Sequence, residues 1–220
     1  MGGAASAASA LEKFSPAKAA HAQPAASAGL TDLHEDRGDL DGALANAEQA
    51  RTLFMKLAAQ LPANPVLDGQ VAAAHDRIGA LLLDKGKLEA AMEAVRAGFV
   101  INERLVRNDP SDSSARHSFG YSYSNLGRIQ LVLGTLDEAR AAFEACIAIR
   151  EALVVAAPDE LEYQYTLGRA RANLARAHRR RGDLAGARRE LAAVVALFER
   201  LTATNAKDYA AELAQLRAER

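Results

Sequence analysis

The chain has 220 residues, of which 50% are hydrophobic but only 5% aromatic, with no Trp and a formal net charge of −1. Ala and Leu dominate the apolar content with Arg and Glu between them, a mixture that favours helices and leaves little β-branched or aromatic material for sheets. The balanced charge argues against a strongly basic nucleic-acid binder; one cysteine, Cys146, excludes an internal disulfide framework; and no apolar run reaches the roughly 18–20 residues that span a bilayer.

Residues 1–24 are mostly Ala, Ser, Gly and Pro. Such a segment buries too little surface to offset its ordering entropy, and is expected to be a flexible lead-in. Its first residues, MGGAASAASALEKF, lack a basic region followed by an apolar core, so no secretory signal is expected and the cytoplasm is the expected location. A truncated first helix is expected from about Ala25, after Pro24.

From there a repeat governs the chain. Gly38, Gly86, Gly134 and Gly182 stand 48 residues apart. Two residues after each comes Leu40, Leu88, Leu136 or Leu184; five after, Ala43, Ala91, Ala139 or Ala187; nineteen after, Leu57, Leu105, Leu153 or Leu201. Twenty-four after come Pro62, Pro110 and Pro158, with Ala206 in the last copy. Each Gly marks a tight turn and each Pro ends a helix that it cannot continue. Every unit is therefore a helix pair with helices of about 20 residues, roughly 30 Å long. The second helices are expected to start near 39, 87, 135 and 183.

In the third copy Leu136, Ala139, Phe143, Cys146, Ile149 and Leu153 recur at spacings of three and four, the apolar face of an amphipathic helix. After Pro158, Leu161, Tyr165, Leu167, Leu174 and Ala175 supply the apolar positions of a helix expected to run to Arg181. The array is expected over 25–206. Beyond it, Tyr209, Leu213 and Leu216 form a narrow apolar stripe beside Glu212, Arg217, Glu219 and Arg220, so 207–220 reads as a capping helix.

Leu126-Gly127, then Gly134, Leu136, Ala139, Phe143 and Cys146, resemble the tetratricopeptide signature, and Ile78-Gly79 before Gly86 and Leu174-Ala175 before Gly182 repeat it. The resemblance implies an all-α fold, an α-α superhelix of antiparallel helix pairs wound as a right-handed solenoid. The usual unit is about 34 residues; the longer one here divides its excess as about two extra turns per helix, which keeps the same face inward. Units of this extended kind resemble the arrays attached to bacterial serine/threonine kinases and related signalling proteins. The chain itself carries no Gly-rich loop, H-R-D or D-F-G.

The family lines its concave groove with the first helix of each pair. Carried onto this sequence, that places Ala73, Arg77, Ala80 and Asp84 on one stripe, Tyr121, Asn125, Arg128 and Val132 on the next, and Arg169, Asn173, Arg176 and Arg180 on the third. In the family an Asn at the position shared by Asn125 and Asn173 commonly hydrogen-bonds the backbone of a bound peptide. The expected groove residues are thus Tyr121, Asn125, Arg128, Arg169, Asn173, Arg176, Arg180 and Arg77. A chaperone-type carboxylate clamp also needs a Lys and a second Asn in the preceding helix, where this chain has Asp76 and Ala80.

Other candidate chemistry weighs little. No two of His21, His34, His75, His117 and His178 stand at the i, i+3 or i, i+4 spacing of a helical metal site, and no metal or cofactor is expected. Cys146 falls at the packing position of Ala50, Gly98 and Val194. Arg37-Gly38-Asp39 and Arg181-Gly182-Asp183 spell an integrin-recognition triplet, but each is the turn between helices, with its Asp as a cap. Six arginines (Arg169, Arg171, Arg176, Arg179, Arg180 and Arg181) crowd one helix behind Asp159, Glu160 and Glu162. The helix dipole favours that order, and an acidic or C-terminal carboxylate partner would use it.

The function expected is a protein-interaction scaffold that holds a peptide or partner protein, not an enzyme, since no nucleophile–base or carboxylate pair stands at usable spacing. The alternatives are a regulatory module acting with a signalling kinase, or an RNA-binding repeat short of the aromatics that stack bases.

Overall fold

A computed structural model describes residues 39–204 and Ala214. The lead-in over 1–24, the truncated helix from Ala25, His34, the first turn at Arg37-Gly38 and the capping helix over 207–220 lie outside the described residues, apart from Ala214. Within them are seven helices and no strand. They are α1 (Leu40–Gln60), α2 (Pro65–Asp84), α3 (Leu88–Asn108), α4 (Ser113–Leu133), α5 (Leu136–Ala156), α6 (Leu161–Arg180) and α7 (Leu184–Thr204). The second helices α1, α3, α5 and α7 begin 48 residues apart and all have 21 residues. Among the described residues no helix is long and apolar enough to cross a membrane.

Local chemistry sets these boundaries. Gly86, Gly134 and Gly182 hold φ of 71°, 84° and 81°, the left-handed conformation that closes each hairpin and that a side chain resists. Asp39 accepts from the Gly42 N–H at 2.9 Å and Asp183 from the Gly186 N–H at 2.8 Å, so the acid of each Gly-Asp turn caps the helix that follows. Asn64 caps α2 by accepting from Val66 and Leu67, and Asp112 caps α4 by accepting from Ser114 and Ala115.

The chain forms two compact units that meet at Asn108/Asp109. In the first, α2 packs against both α1 and α3, around a core that includes Phe54, Leu57, Leu67 and Val71. In the second, α4–α5 and α6–α7 are hairpins, α5 packs on α6, and α4 also touches α6. Phe143, Cys146, Ile147, Leu167, Leu174, Leu197 and Leu201 build its main core. Small residues let the helices approach: a Cβ on Gly127 would stand 2.6 Å from the Phe143 ring.

One position departs from the apolar face expected for α5. Ile149 is only half-buried, and Arg150 takes the interior place with 2% of its surface exposed. The spacing Ala139, Phe143, Cys146, Arg150, Leu153 keeps the stripe straighter than a step through Ile149 does. Geometry overrides side-chain polarity there.

Candidate functional site

The expected stripes of the second unit lie on α4 and α6, which touch. Tyr121 is 38% exposed, Arg128 is half-buried and Asn125 is buried at 8%. On α6, Arg169 and Arg180 are exposed, while Asn173 and Arg176 are half-buried. Arg77 is half-buried on α2 of the first unit, at the repeat position of Asn125 and Asn173.

The two asparagines make the same local bond. The Arg128 Nη1 donates to Asn125 Oδ1 at 3.4 Å, and the Arg176 Nη1 donates to Asn173 Oδ1 at 2.9 Å. Each pair stands three residues apart, one turn along a helix face. An Asn–Arg couple thus repeats on consecutive first helices.

Much of the positive charge on α6 braces the unit internally. Arg171 pairs with Glu151 of α5 and, at 2.8 Å, with Glu190 of α7. Arg180 donates to the Leu131 carbonyl, and Arg181 pairs with Asp137 at 2.8 Å. Arg169 lies over the Tyr165 ring at 5.8 Å.

Three residues that the sequence stripes omit complete the surroundings of Tyr121. Its hydroxyl donates to Glu162 Oε1 at 3.0 Å, linking α4 to α6. Burial, then the adjacent Glu162 charge, push its phenol up to about 12. The His117 ring meets Tyr121 edge-on at 5.0 Å and Tyr163 at 5.1 Å. Burial, with Arg150 nearby, holds His117 down at about 4. Glu162 stands 4.0 Å from its Nε2, but that carboxylate is half exposed and already accepts from Tyr121.

Beneath Tyr121 lies Arg150, its guanidinium carbon 4.7 Å from the ring centroid. The Arg150 Nε donates to Cys146 Sγ at 3.2 Å, and the thiol donates to the Gly120 carbonyl at 3.1 Å. Burial pushes the Cys146 thiol up despite that guanidinium, which disfavours the thiolate form. The signal that could have found Arg150 was the repeat register: Phe54, Asn102, Arg150 and Phe198 stand 48 apart, on second helices. Among the described residues no group of three His, Cys, Asp or Glu is placed to hold a metal ion.

Residues 120–158 and 167–202 match the family model of the tetratricopeptide repeat. No curated protein matches the chain in sequence. Among solved structures it is similar to BtubC (BKLC) from P. vanneervenii, at 18% identity and a TM-score of 0.61, over 81% of this chain and 64% of that one. It is similar to the apo form of RapI at 12% identity and a TM-score of 0.61, over 96% of this chain and 55% of that one. The chain thus spans less than two thirds of the length of either. A Podosopora anserina kinesin light chain-like protein of nearly identical TPR-like repeats matches at 20% identity and a TM-score of 0.56, over 88% of this chain and 92% of that one. At these identities the likeness is one of fold. Matched repeats, all-helical architecture and these neighbours together show a TPR-like helical-repeat fold, with the tetratricopeptide repeat itself matched over residues 120–158 and 167–202.

Proposed function

We propose that the protein is an interaction scaffold whose second unit holds a peptide or partner protein across α4 and α6. The observation that carries this reading is the repeated Asn–Arg couple, Asn125–Arg128 and Asn173–Arg176, on two touching first helices. A repeated polar couple suits a ligand whose own backbone groups repeat. Because Asn125 is buried, contacts on α4 fall to Tyr121 and Arg128, and those on α6 to Arg169, Asn173 and Arg176. Exposed Arg169 near Tyr121, with half-buried Arg128 and Arg176, favours an acidic peptide. In this reading Arg180 braces neighbouring helices, Arg77 lies on α2 of the first unit, and the chain is a cytoplasmic binding protein and not an enzyme.

Selection of a displayed random peptide library on the full chain tests it. Enriched acidic sequences should bind with micromolar affinity, and Asn173→Ala with Arg176→Ala should weaken them at least five-fold without loss of helicity. Affinities unmoved by both substitutions would remove ligand binding from this face.

A further inference from the structure

Arg150 is among the largest fully buried side chains of the described residues, yet no Asp or Glu among them lies within ion-pair distance of it. Its partners are a thiol, which is a weak acceptor, and the face of Tyr121. Its Nη1 is buried with no hydrogen-bond partner. A guanidinium stays charged, and taking it out of water without a carboxylate is costly.

Packing does not require a cation at this place. The same repeat position holds Phe54 and Phe198 in other copies. Phe198 lies on Gly168 as Arg150 lies on Gly120, thirty residues away in each case. An aromatic or aliphatic side chain would fill the slot with no desolvation penalty. Neighbouring charge does not explain it either: His117 is held neutral near pH 7, and Arg169 adds positive potential at the Tyr121 hydroxyl. The nearby acid, Glu162, meets the rim through Tyr121 and His117.

We propose that Arg150 is a carboxylate-binding centre, covered in the free protein by Tyr121, which pairs with an acidic side chain or C-terminal carboxylate of a partner once that ring swings aside. Three features support this. The cation is buried and incompletely bonded. The Tyr121 ring, partly exposed, lies across its guanidinium. A single exposed hydrogen bond, from the Tyr121 hydroxyl to Glu162, ties the ring to α6, and the swing of the ring breaks it. The proposal rests on the scaffold reading, because the partner would approach over the same α4–α6 face, and it names the chemical group that this face selects.

The test uses the full chain with ¹⁵N-arginine labelling, N-acetylglutamate and N-acetylglutamine as probes, and inorganic phosphate as a third. N-acetylglutamate should shift the Arg150 Nε–Hε resonance saturably in the millimolar range, and the neutral amide should not. Arg150→Met should abolish saturable binding of N-acetylglutamate, followed through the His117 ring resonances, while the circular dichroism stays that of the parent. Tyr121→Ala, which removes the cover, should tighten binding several-fold. Phosphate binding as tightly as N-acetylglutamate would overturn the assignment to carboxylates, and so would an unsaturable shift or equal affinity in Arg150→Met. Library peptides that depend on Asn173 and Arg176 but not on Arg150 would leave the scaffold standing and remove this centre.

Discussion

Arg150 lies on Gly120 at ordinary van der Waals distance: a Cβ built on that glycine would stand 3.5 Å from the guanidinium Cζ and Nε. The matching contact one repeat on is far tighter, because a Cβ on Gly168 would overlap the Phe198 ring. Two glycines at one repeat position therefore answer differently to the same change. Gly120→Ala gains helix propensity and meets a side chain already at contact distance, so stability should stay within about 0.5 kcal/mol of the parent or rise by up to about 1 kcal/mol. Gly168→Ala forces a packed aromatic ring to move and should cost about 1–3 kcal/mol. Urea unfolding followed by circular dichroism measures both, and the prediction fails if the two variants shift equally.

Replacing Arg150 itself should not harm the fold. Arg150→Met keeps an unbranched side chain of similar volume and removes a buried charge without a carboxylate partner. It also loses the contact with the Tyr121 face, worth about 1–2 kcal/mol. Exchanging buried charges for apolar groups is often neutral or stabilising by about 1–4 kcal/mol. The expected result lies between no change and a gain of about 2 kcal/mol in urea unfolding. A loss above about 2 kcal/mol would show that the arginine is a structural pillar.

His117 makes unit two sensitive to acid. Its folded pKa of about 4 lies below the unfolded value of 6.5, so folding favours the neutral ring. The stabilising contribution is therefore complete above pH 6.5 and falls as pH drops from 6.5 through 4. Burial is the larger cause and Arg150 the second, so Arg150→Met should raise the His117 pKa part of the way towards 6.5. His75 is also lowered, by burial and Arg51, and contributes in the same direction from the first unit. Two-dimensional NMR titration of the histidine rings separates the two. Urea midpoints at pH 7, 5.5 and 4 should fall less steeply in His117→Gln than in the parent. A His117 pKa near 6.5 in the parent would contradict the buried placement.

The repeat frame was legible because backbone needs recur with it. Only glycine sits easily at the φ of Gly86, Gly134 and Gly182, so a 48-residue spacing of glycines reports hairpins directly. The site was less legible. Asn125 and Asn173 share a repeat position, but whether such a side chain faces water depends on neighbouring helices, and Asn125 is buried while Asn173 is not. Arginines that look like one basic stripe in sequence divide in space between partners on α4, α5 and α7 and solvent. Arg150 was hidden for the opposite reason: polarity marks it as a surface residue, whereas its register places it inside.

The turn between α1 and α2 holds a strain that can be relieved. Ala63 has φ of 62° and is the one non-glycine among the described residues with a positive φ. A left-handed alanine costs about 1–2 kcal/mol, because its Cβ crowds the carbonyl that follows. The matching residues in later copies, Ser111 and Asp159, avoid that conformation. Ala63→Gly removes the crowding but adds backbone freedom to the unfolded chain, worth about 0.5–1 kcal/mol in the other direction. The net expectation is a gain of up to about 1 kcal/mol. Ala63→Val should lose stability, since a β-branched residue is poorly accommodated at positive φ. Ala63 is exposed, so neither substitution changes core packing. Urea midpoints ordered Gly above Ala above Val support the strain; an unchanged midpoint in Ala63→Val would show that the turn relaxes around its side chain.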